Sequence, residues 1–346
     1  MRSLVDGLCS FESRGACTDA ERRAALWLHD EVRARMQQAW VETLWVRPQR
    51  ALALALAALL AAVGGLLATA APLPGLVIAA IGTLWMFVPL PLLPRRATQH
   101  VLTAVPDDGI VLAITAAYDA PKRGLVLNDR WRRFLKPRWL PAASAVVITA
   151  AAATRVAGYE PGWLGAVQLV PTVVLLVTLA AALDVALSDW SPGANDNASG
   201  VAVALQLFDE LKRDPPAILE PVLVLTGAGH ALPGAAGRYL GLPSERVMLL
   251  EVGPCGAGTP AWNARHPQVR AAAEEASAAL SITASHRPRP AATRLPAIRI
   301  AALDGRGLTP RAHQPDDTEV GDATMDAALD LALGVVDALD RAISPR

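Results

Sequence analysis

The chain has 346 residues, 53% of them hydrophobic, and its 32 basic residues balance 32 acidic ones. A chain of this length can bury a sizeable core in one or two domains, and zero formal net charge gives no electrostatic reason to expect a nucleic-acid partner. The three cysteines, Cys9, Cys17 and Cys255, are an odd number in unrelated contexts, which argues against a disulfide framework and for a reducing compartment.

The N-terminal region predicts a helix followed by a strand. Thr18, with Glu21 three residues later, forms a capping box that starts the helix. Its apolar stripe recurs every four residues, at Ala24, Leu28, Val32 and Met36. Residues 40–46 then alternate as a strand does. Residues 1–11 lack the charged start, apolar run and cleavage site of a secretory signal, so we expect no export.

Residues 51–94 contain no charged residue and are about twice as long as the ~20 residues needed to cross a bilayer. The sequence Ala-Pro-Leu-Pro-Gly at 71–75 interrupts this run. It therefore predicts a transmembrane hairpin, with helices near 51–70 and 75–93. A pair of core helices would need a protein shell that the flanking sequence is too short to supply.

A second apolar pair covers residues 140–158 and 163–187, with Arg155 assigned to the interruption and Asp184 near the end of the last helix. Basic residues flank the two hairpins on one side, at Arg47, Arg50, Arg95, Arg96, Arg132, Arg133, Lys136 and Arg138. By the positive-inside rule, the soluble part faces the cytoplasm. We expect an integral protein of a bacterial inner or plasma membrane, with the lipid bilayer as a partner.

The predicted domains follow from these hairpins. Residues 51–93 and 139–187 are the two membrane insertions, each a transmembrane hairpin. The remaining segments are predicted to form one discontinuous α/β domain that comprises residues 1–50, 94–138 and 188–346.

The most specific motif is Ser-Pro-Gly-Ala-Asn-Asp-Asn-Ala-Ser-Gly at 191–200, which precedes apolar residues at helical spacing in 201–211. This pattern places Asp196 on a tight loop that leads into a helix, where Asn195 or Asp196 would also suit an N-cap. The string resembles the signature of the di-zinc aminopeptidases of the aminopeptidase Y type, the clan MH exopeptidases. In that family the residue matching Asp196 bridges two zinc ions.

The resemblance implies a three-layer, phosphorylase/hydrolase-like α/β domain with a central mixed sheet flanked by helices, here joined to four transmembrane helices. His313 begins His-Gln-Pro-Asp-Asp-Thr, which resembles the family's His-Thr-Pro-Asp-Asp-Thr, whose His binds the second zinc. Glu251 ends a predicted strand at 246–251 and matches the acid that completes the first zinc site. A capping or ion-pair role for Glu251 stays open.

Two other positions of the family pattern are altered. The strand at 110–115 leads to Asp119, which matches an Asp that orients a zinc-binding His, but Ala117 stands at the position of that His. Asp119 suits a turn carboxylate equally well. After the strand at 221–226, the position of the general-base Glu falls on Gly229, which cannot accept a proton. The next Glu, a zinc ligand, is matched by His230, either a replacement ligand or a solvated loop residue.

Two functions fit this pattern, because a working member needs about five zinc ligands and a base. In one, Asp196, His230 and His313 hold a single zinc ion in an active exopeptidase. In the other, which we favour, the site is vestigial and the protein is a membrane-tethered binding or scaffold module for peptides or another membrane protein. Either way we expect at most one zinc. A small transporter is a third class, which would need ionisable residues across the membrane helices.

Overall fold

The computed structural model describes residues 1–35, 38–88, 92–128, 139–229, 242–282, 288–289, 293 and 295–344. The chain divides into two compact units. The sheet unit comprises Met1–Pro48, Arg96–Pro121 and Trp190–Arg346, and the helical unit comprises Gln49–Arg95 and Lys122–Asp189.

In the sheet unit, one mixed sheet of seven described strands has the order β1-β2-β4-β3-β5-β7-β6. The strands are β1 Ala39–Val46, β2 Arg96–Thr103, β3 Ile110–Ala117, β4 Leu219–Thr226, β5 Val247–Val252, β6 Thr259–Ala264 and β7 Ala297–Leu303. Strands β3, β4, β5 and β7 run parallel, and the other three are antiparallel to their neighbours. The carboxyl ends of the parallel strands therefore meet at one edge, where loops from distant parts of the chain can gather.

The sheet is flanked by helices. Those of the sheet unit are α1 Arg2–Cys9, α2 Asp19–Ala34, α7 Ser199–Arg213, α8 Pro267–Ala279 and α9 Asp322–Ile343. Helix α7 contacts β3, β4 and β5, and its residues 201–205 are fully buried. A smaller apolar cluster with residues from β2, β3, β4, β5 and β7 includes Val111, Val224 and Leu249. Burial of each such Val or Leu stabilises the fold by about 1.5–3 kcal/mol.

The apolar runs predicted as strands are strands. Thr18 caps α2 as the capping box predicts, but Glu21 bonds the N–H of the preceding residue, Cys17, and not that of Thr18. Thr18 Oγ1 accepts a hydrogen bond from the Glu21 N–H at 3.2 Å. Glu21 Oε2 in turn accepts the Cys17 N–H at 2.8 Å. The sequence did not predict α1, β2 or β6. Met36, the last member of the predicted α2 stripe, lies outside the described residues.

The helical unit contains α3 Arg50–Leu67, α4 Pro72–Phe87, α5 Leu140–Val156 and α6 Leu164–Leu187. Helices α3 and α6, of 18 and 24 residues, are long and apolar enough to cross a membrane. Helices α4 and α5 have 16 and 17 residues, shorter than the predicted runs. Two of the four predicted membrane helices therefore meet the length requirement.

Small residues let α3 and α4 pack with their backbones in contact. A Cβ added at Gly64 would lie 2.3 Å from the Ala79 backbone nitrogen, and one added at Gly75 would lie 2.3 Å from that of Ala68. Neither glycine can be replaced without a shift of one helix. Small residues at the interface are typical of helices that associate in membranes, where burial of large apolar groups gives no driving force.

Arg155 is not in the loop where the sequence prediction placed it. It lies in the last turn of α5, which continues to Val156 and ends before Gly158, whose φ is +75°. The Arg155 side chain is buried and donates to Gln168 Oε1 at 2.6 Å, while Gln168 Nε2 donates to the Gly65 carbonyl at 2.8 Å. A cation near a helix carboxyl end is favourable, because it interacts with the helix dipole. Arg155 and Gln168 together thus join α5, α6 and α3.

Candidate functional site

The Asp196 loop enters α7 through one π-helical turn, Ala194–Ala198, preceded by Gly193 at φ +67°. Neither Asn195 nor Asp196 caps the helix with its side chain, so the N-cap interpretation of these residues is wrong. The cap comes from a distant residue. Asp317 Oδ1 accepts the Asn195 N–H at 2.8 Å and Asp317 Oδ2 accepts the Asp196 N–H at 3.1 Å.

Further hydrogen bonds fasten the two motif segments together. Ser191 Oγ donates to the Gln314 carbonyl at 2.9 Å, and the Ala194 N–H donates to the Asp317 carbonyl at 3.1 Å. Asn195 adds contacts on both sides, to the Pro310 carbonyl and from the N–H of Gly256 in the segment after β5. The segments that follow Glu251, contain Asp196 and contain His313 therefore meet at one edge of the sheet.

Asp317 is fully buried, and this burial raises the pKa of its carboxyl to about 7, against the opposing effect of the hydrogen bonds from the two backbone N–H groups. His313, half-buried on the same segment, has a left-handed φ of +64°. A non-glycine residue in this conformation is uncommon, and such residues cluster at functional sites.

Arg14 is a buried cation that sequence reasoning did not identify as a site residue. Its guanidinium donates to the carbonyls of Tyr118 at 2.6 Å, Leu8 at 2.7 Å and Gly193 at 3.3 Å. Burial lowers the pKa of Arg14. These bonds tie the end of α1 and the end of β3 to the loop that carries Asp196. An arginine after an N-terminal helix is too common a pattern to predict this role.

Asp119 has the structural contacts of a turn carboxylate. It is fully buried, and its Oδ1 accepts the Gly229 N–H at 2.7 Å. Its carbonyl accepts a hydrogen bond from the Asn197 side-chain amide. Asp119 therefore connects the end of β3 with the turn after β4 and with the Asp196 loop.

Ala117 and Gly229 occupy adjacent space at the edge. A Cβ added at Gly229 would lie 2.3 Å from the Ala117 Cβ and 3.1 Å from Asp119 Oδ1. The two positions that the resemblance assigns to a zinc-binding His and a general base thus hold the smallest residues, and these pack against each other. A side chain at position 229 needs a movement of the backbone. His230, the next residue, lies outside the described residues.

Glu251 forms an ion pair, as the sequence left open. Arg299 Nη1 on the neighbouring strand β7 lies 3.1 Å from Glu251 Oε1. The second oxygen, Oε2, is buried and has no hydrogen-bond partner. Glu251 Oε2 is therefore available as an acceptor, but it lies on a carboxylate that is paired with the Arg299 guanidinium. The guanidinium would repel a divalent ion there and already neutralises the carboxylate that would attract it.

Glu21 and His100 are further titratable residues at this edge that the sequence did not assign to it. Glu21 Oε1 accepts the Ala228 N–H at 2.7 Å and the Thr98 hydroxyl at 3.0 Å. Burial, and then the charge of Asp119, raise the pKa of Glu21 to about 8. His100 Nδ1 accepts the Gly227 N–H at 3.3 Å, and burial lowers the pKa of its imidazole. The capping box was the available signal for Glu21. Its hydrogen bond with Ala228, in the turn after β4, could not be predicted from the sequence.

The described residues do not fit a metal ion where Ala117 and Glu251 would share one. No three His, Cys, Asp or Glu side chains within the described ranges are grouped so that they could hold a metal. The resemblance assigns that site an imidazole, which Ala117 does not supply, and a carboxylate, which is paired with Arg299. The set of Asp196, His230 and His313 includes a residue outside those ranges and stays a prediction.

The mixed sheet, with the site segments at the carboxyl ends of its parallel strands, defines a hydrolase-like α/β fold. Solved structures with a similar fold include zinc exopeptidases and glutaminyl cyclases. The zinc aminopeptidase BSAP from Bacillus subtilis is 13% identical with a TM-score of 0.57, over 98% of this chain and 94% of that chain. Porphyromonas gingivalis glutaminyl cyclase is 12% identical with a TM-score of 0.57, over 99% and 96%.

A Zn-dependent exopeptidase from Parabacteroides distasonis is 13% identical with a TM-score of 0.55, over 96% of this chain and 95% of that chain. No protein-family model and no curated protein matches the sequence. At these identities the likeness concerns the fold.

Proposed function

We propose that the protein is a membrane-anchored, aminopeptidase-like binding or scaffold module with a degenerate metal site, inactive or only weakly active as a peptidase. The contact between Ala117 and Gly229 is the observation that carries this proposal. A general base has no room at 229 beside Ala117 without backbone movement, and glycine itself has no group that takes a proton. In this proposal, a peptide or another membrane protein binds at the site, at the carboxyl ends of the parallel strands.

The alternative is an active exopeptidase with one zinc ion on Asp196, His230 and His313. Its support is the hydrogen-bonded connection of the two motif segments through Asp317. Three ligands and an open position are the usual arrangement of a catalytic zinc. This enzyme would need a base from outside the family pattern.

Activity assays separate the two functions. The full chain, purified in detergent with added zinc, is incubated with short peptides of varied N-terminal residue, including peptides that begin with glutamine to detect cyclisation. The proposal predicts the same signal from wild type and from Asp196→Ala, with Asp316→Ala as a control at an exposed position of the other motif segment. Amino-acid release or cyclisation that Asp196→Ala abolishes and Asp316→Ala leaves intact would establish the enzyme instead.

The membrane anchor in this proposal is the helical unit. Only 39% of the apolar stretch of α3 and 22% of that of α6 is buried. Large apolar side chains are more than half exposed on its helices, at Leu66, Leu73, Val77, Leu84, Phe87, Leu169, Val170 and Val177. Water would be an unfavourable surrounding for such a surface, whereas the hydrocarbon of a bilayer suits it. We propose a bacterial inner or plasma membrane, with the sheet unit on the cytoplasmic side.

Cysteine labelling tests that orientation. Gly162, between α5 and α6, and Gly305, in the sheet unit, both have open space where a side chain would start. In a background with the native cysteines replaced by alanine, a membrane-impermeant maleimide added to intact bacterial cells should label Gly162→Cys and spare Gly305→Cys until the cells are lysed. The reverse pattern would place the sheet unit outside. Labelling of both cysteines before lysis would show that the chain does not cross the membrane between them, which contradicts the proposed anchor.

A transporter has less support. Arg155 lies near the end of α5, and Asp184 lies near the end of α6, where its Oδ2 accepts the Val126 N–H at 3.3 Å. Since α5 and α6 follow each other in the chain, these charges mark opposite ends of the pair. Between them, the described helices offer hydroxyl groups but no ionisable chain of the kind that a transport path uses.

A further inference from the structure

A polar row crosses the sheet near the carboxyl ends of its parallel strands. Thr115 on β3 is the register partner of Glu251 on β5, which is the partner of Arg299 on β7, which in turn is opposite Asn263 on β6. Register partners on neighbouring strands have their side chains on the same face. Glu251 and Arg299 therefore face each other because of the sheet itself, without any contribution from a flexible loop.

This ion pair is largely removed from water. The side chains of Arg299 and Glu251 are 27% and 19% exposed, and the contact is a single one, between Nη1 and Oε1 at 3.1 Å. A carboxylate in such a place needs a positive partner, because removing a charge from water is costly unless an opposite charge or a metal compensates it. In this protein the compensating charge is part of the chain.

We infer that Arg299 supplies the positive charge that a metal ion would otherwise supply to Glu251, so this end of the site is a permanent, metal-independent ion pair. The inference rests on the proposed function and deepens it, since it names the residue that makes the loss of the metal structurally tolerable. The Ala117–Gly229 contact agrees with it: where the resemblance places a zinc-binding imidazole and a general base, an alanine methyl group packs against a glycine instead.

The inference makes Arg299 and Glu251 energetically coupled. In the full chain in detergent, Arg299→Met should lower Tm by about 4 °C or more, because Glu251 is left as an uncompensated charge. Arg299→Lys should retain most of the wild-type Tm. The double variant Arg299→Met, Glu251→Gln should recover more than half of the loss, since neither charge remains.

An exposed ion pair provides the matched control. Arg270 Nε lies 2.9 Å from Glu274 Oε1, with both side chains about half exposed. Arg270→Met and Glu274→Gln should show little coupling, as exposed pairs do. The zinc content of each Glu251 and Arg299 variant should equal that of wild type.

Three results would overturn the inference: an unchanged Tm in Arg299→Met, no recovery in the double variant, or a loss of bound zinc in Glu251→Gln. The last would show that Glu251 binds metal. If Arg299→Met does not fold, Glu251→Gln alone decides, because it should also lower Tm while leaving zinc unchanged. Failure of the proposed function would instead be seen as peptide turnover by the wild type that Asp196→Ala abolishes, whatever the Tm values show.

Discussion

Asp317 caps the helix of a motif more than a hundred residues away. Its carboxylate accepts the N–H groups of Asn195 and Asp196, although the sequence suggested that one of these two residues would itself be the cap. Local residue types predict local caps well, but a helix start that lies against another segment can be capped from there. The motif around His313 was recognised from its sequence, whereas this function of its second aspartate depends on the tertiary fold.

Replacing Asp317 tests this cap. Asp317→Asn should lower the free energy of unfolding by about 1–2 kcal/mol, because one oxygen that accepts a buried N–H becomes an amide nitrogen. Denaturant unfolding of the full chain in detergent measures the change. Asp316→Asn is the matched control, since Asp316 is its exposed neighbour. Equal effects of the two substitutions would contradict the capping role.

Gly229 and Ala117 form a second residue-scale test. Gly229→Ala should destabilise the protein by about 1–3 kcal/mol, because its Cβ would lie 2.3 Å from the Ala117 Cβ. Adding Ala117→Gly should recover part of this loss. Thermal unfolding of the full chain in detergent measures these changes. In that assay Gly305→Ala should have little effect, because nothing lies within 4 Å of the added Cβ. A Gly229→Ala variant as stable as wild type would show that the edge is open.

At the scale of elements, the buried parallel strands were predictable and the antiparallel ones were less so. Strands β3, β4, β5 and β7 are short apolar runs bounded by loop residues, which is the pattern of a strand buried on both faces. Strand β2 reads as polar, with Thr98, Gln99 and His100 in sequence, yet all three are buried. The Thr98 hydroxyl donates to Glu21, and the Gln99 carbonyl and His100 Nδ1 both accept the Gly227 N–H, contacts that no local pattern reveals.

Strand β6 was missed for a different reason. It is a short strand at the edge of the sheet, it contains Pro260, and it pairs only with β7 within the described sheet. Proline is tolerated in edge strands, but it lowers the strand signal of a sequence. Residues 254–267 therefore read as a loop punctuated by glycine and proline.

Glu21 joins α2, β2 and the turn after β4, and this predicts how stability depends on pH. The pKa of Glu21 rises from 4.5 to about 8 on folding, so the folded state binds the proton more tightly than the unfolded state. The contribution of Glu21 is therefore most favourable below about pH 4.5 and is lost as the pH rises towards 8. Glu21→Gln, which is neutral throughout, should remove this part of the slope.

The measurement is the free energy of unfolding of wild type and Glu21→Gln between pH 5 and pH 8. Glu12→Gln, at an exposed position, serves as the control and should follow the wild type. If wild type and Glu21→Gln have parallel pH profiles, Glu21 does not titrate in this range.

At the scale of the whole molecule, the sequence predicted the long apolar helices better than the contacts of the site. Long uncharged runs predict membrane helices from composition alone, although α4 and α5 proved shorter than the runs. The site depends on contacts between distant segments, such as Arg14 with Gly193 and Glu21 with Ala228. A family resemblance indicated which segments meet. It did not indicate that Arg299 stands opposite Glu251.

The most direct test of the account is the zinc content of the full chain, purified in detergent, saturated with zinc and then freed of loosely bound metal. The account predicts no more than one tightly bound zinc per chain, unchanged by Glu251→Gln. If one zinc is present, His313→Ala should remove it. Two equivalents of tightly bound zinc, with one lost in Glu251→Gln, would contradict the account and mean that Ala117 and Gly229 are not at the altered metal and base positions.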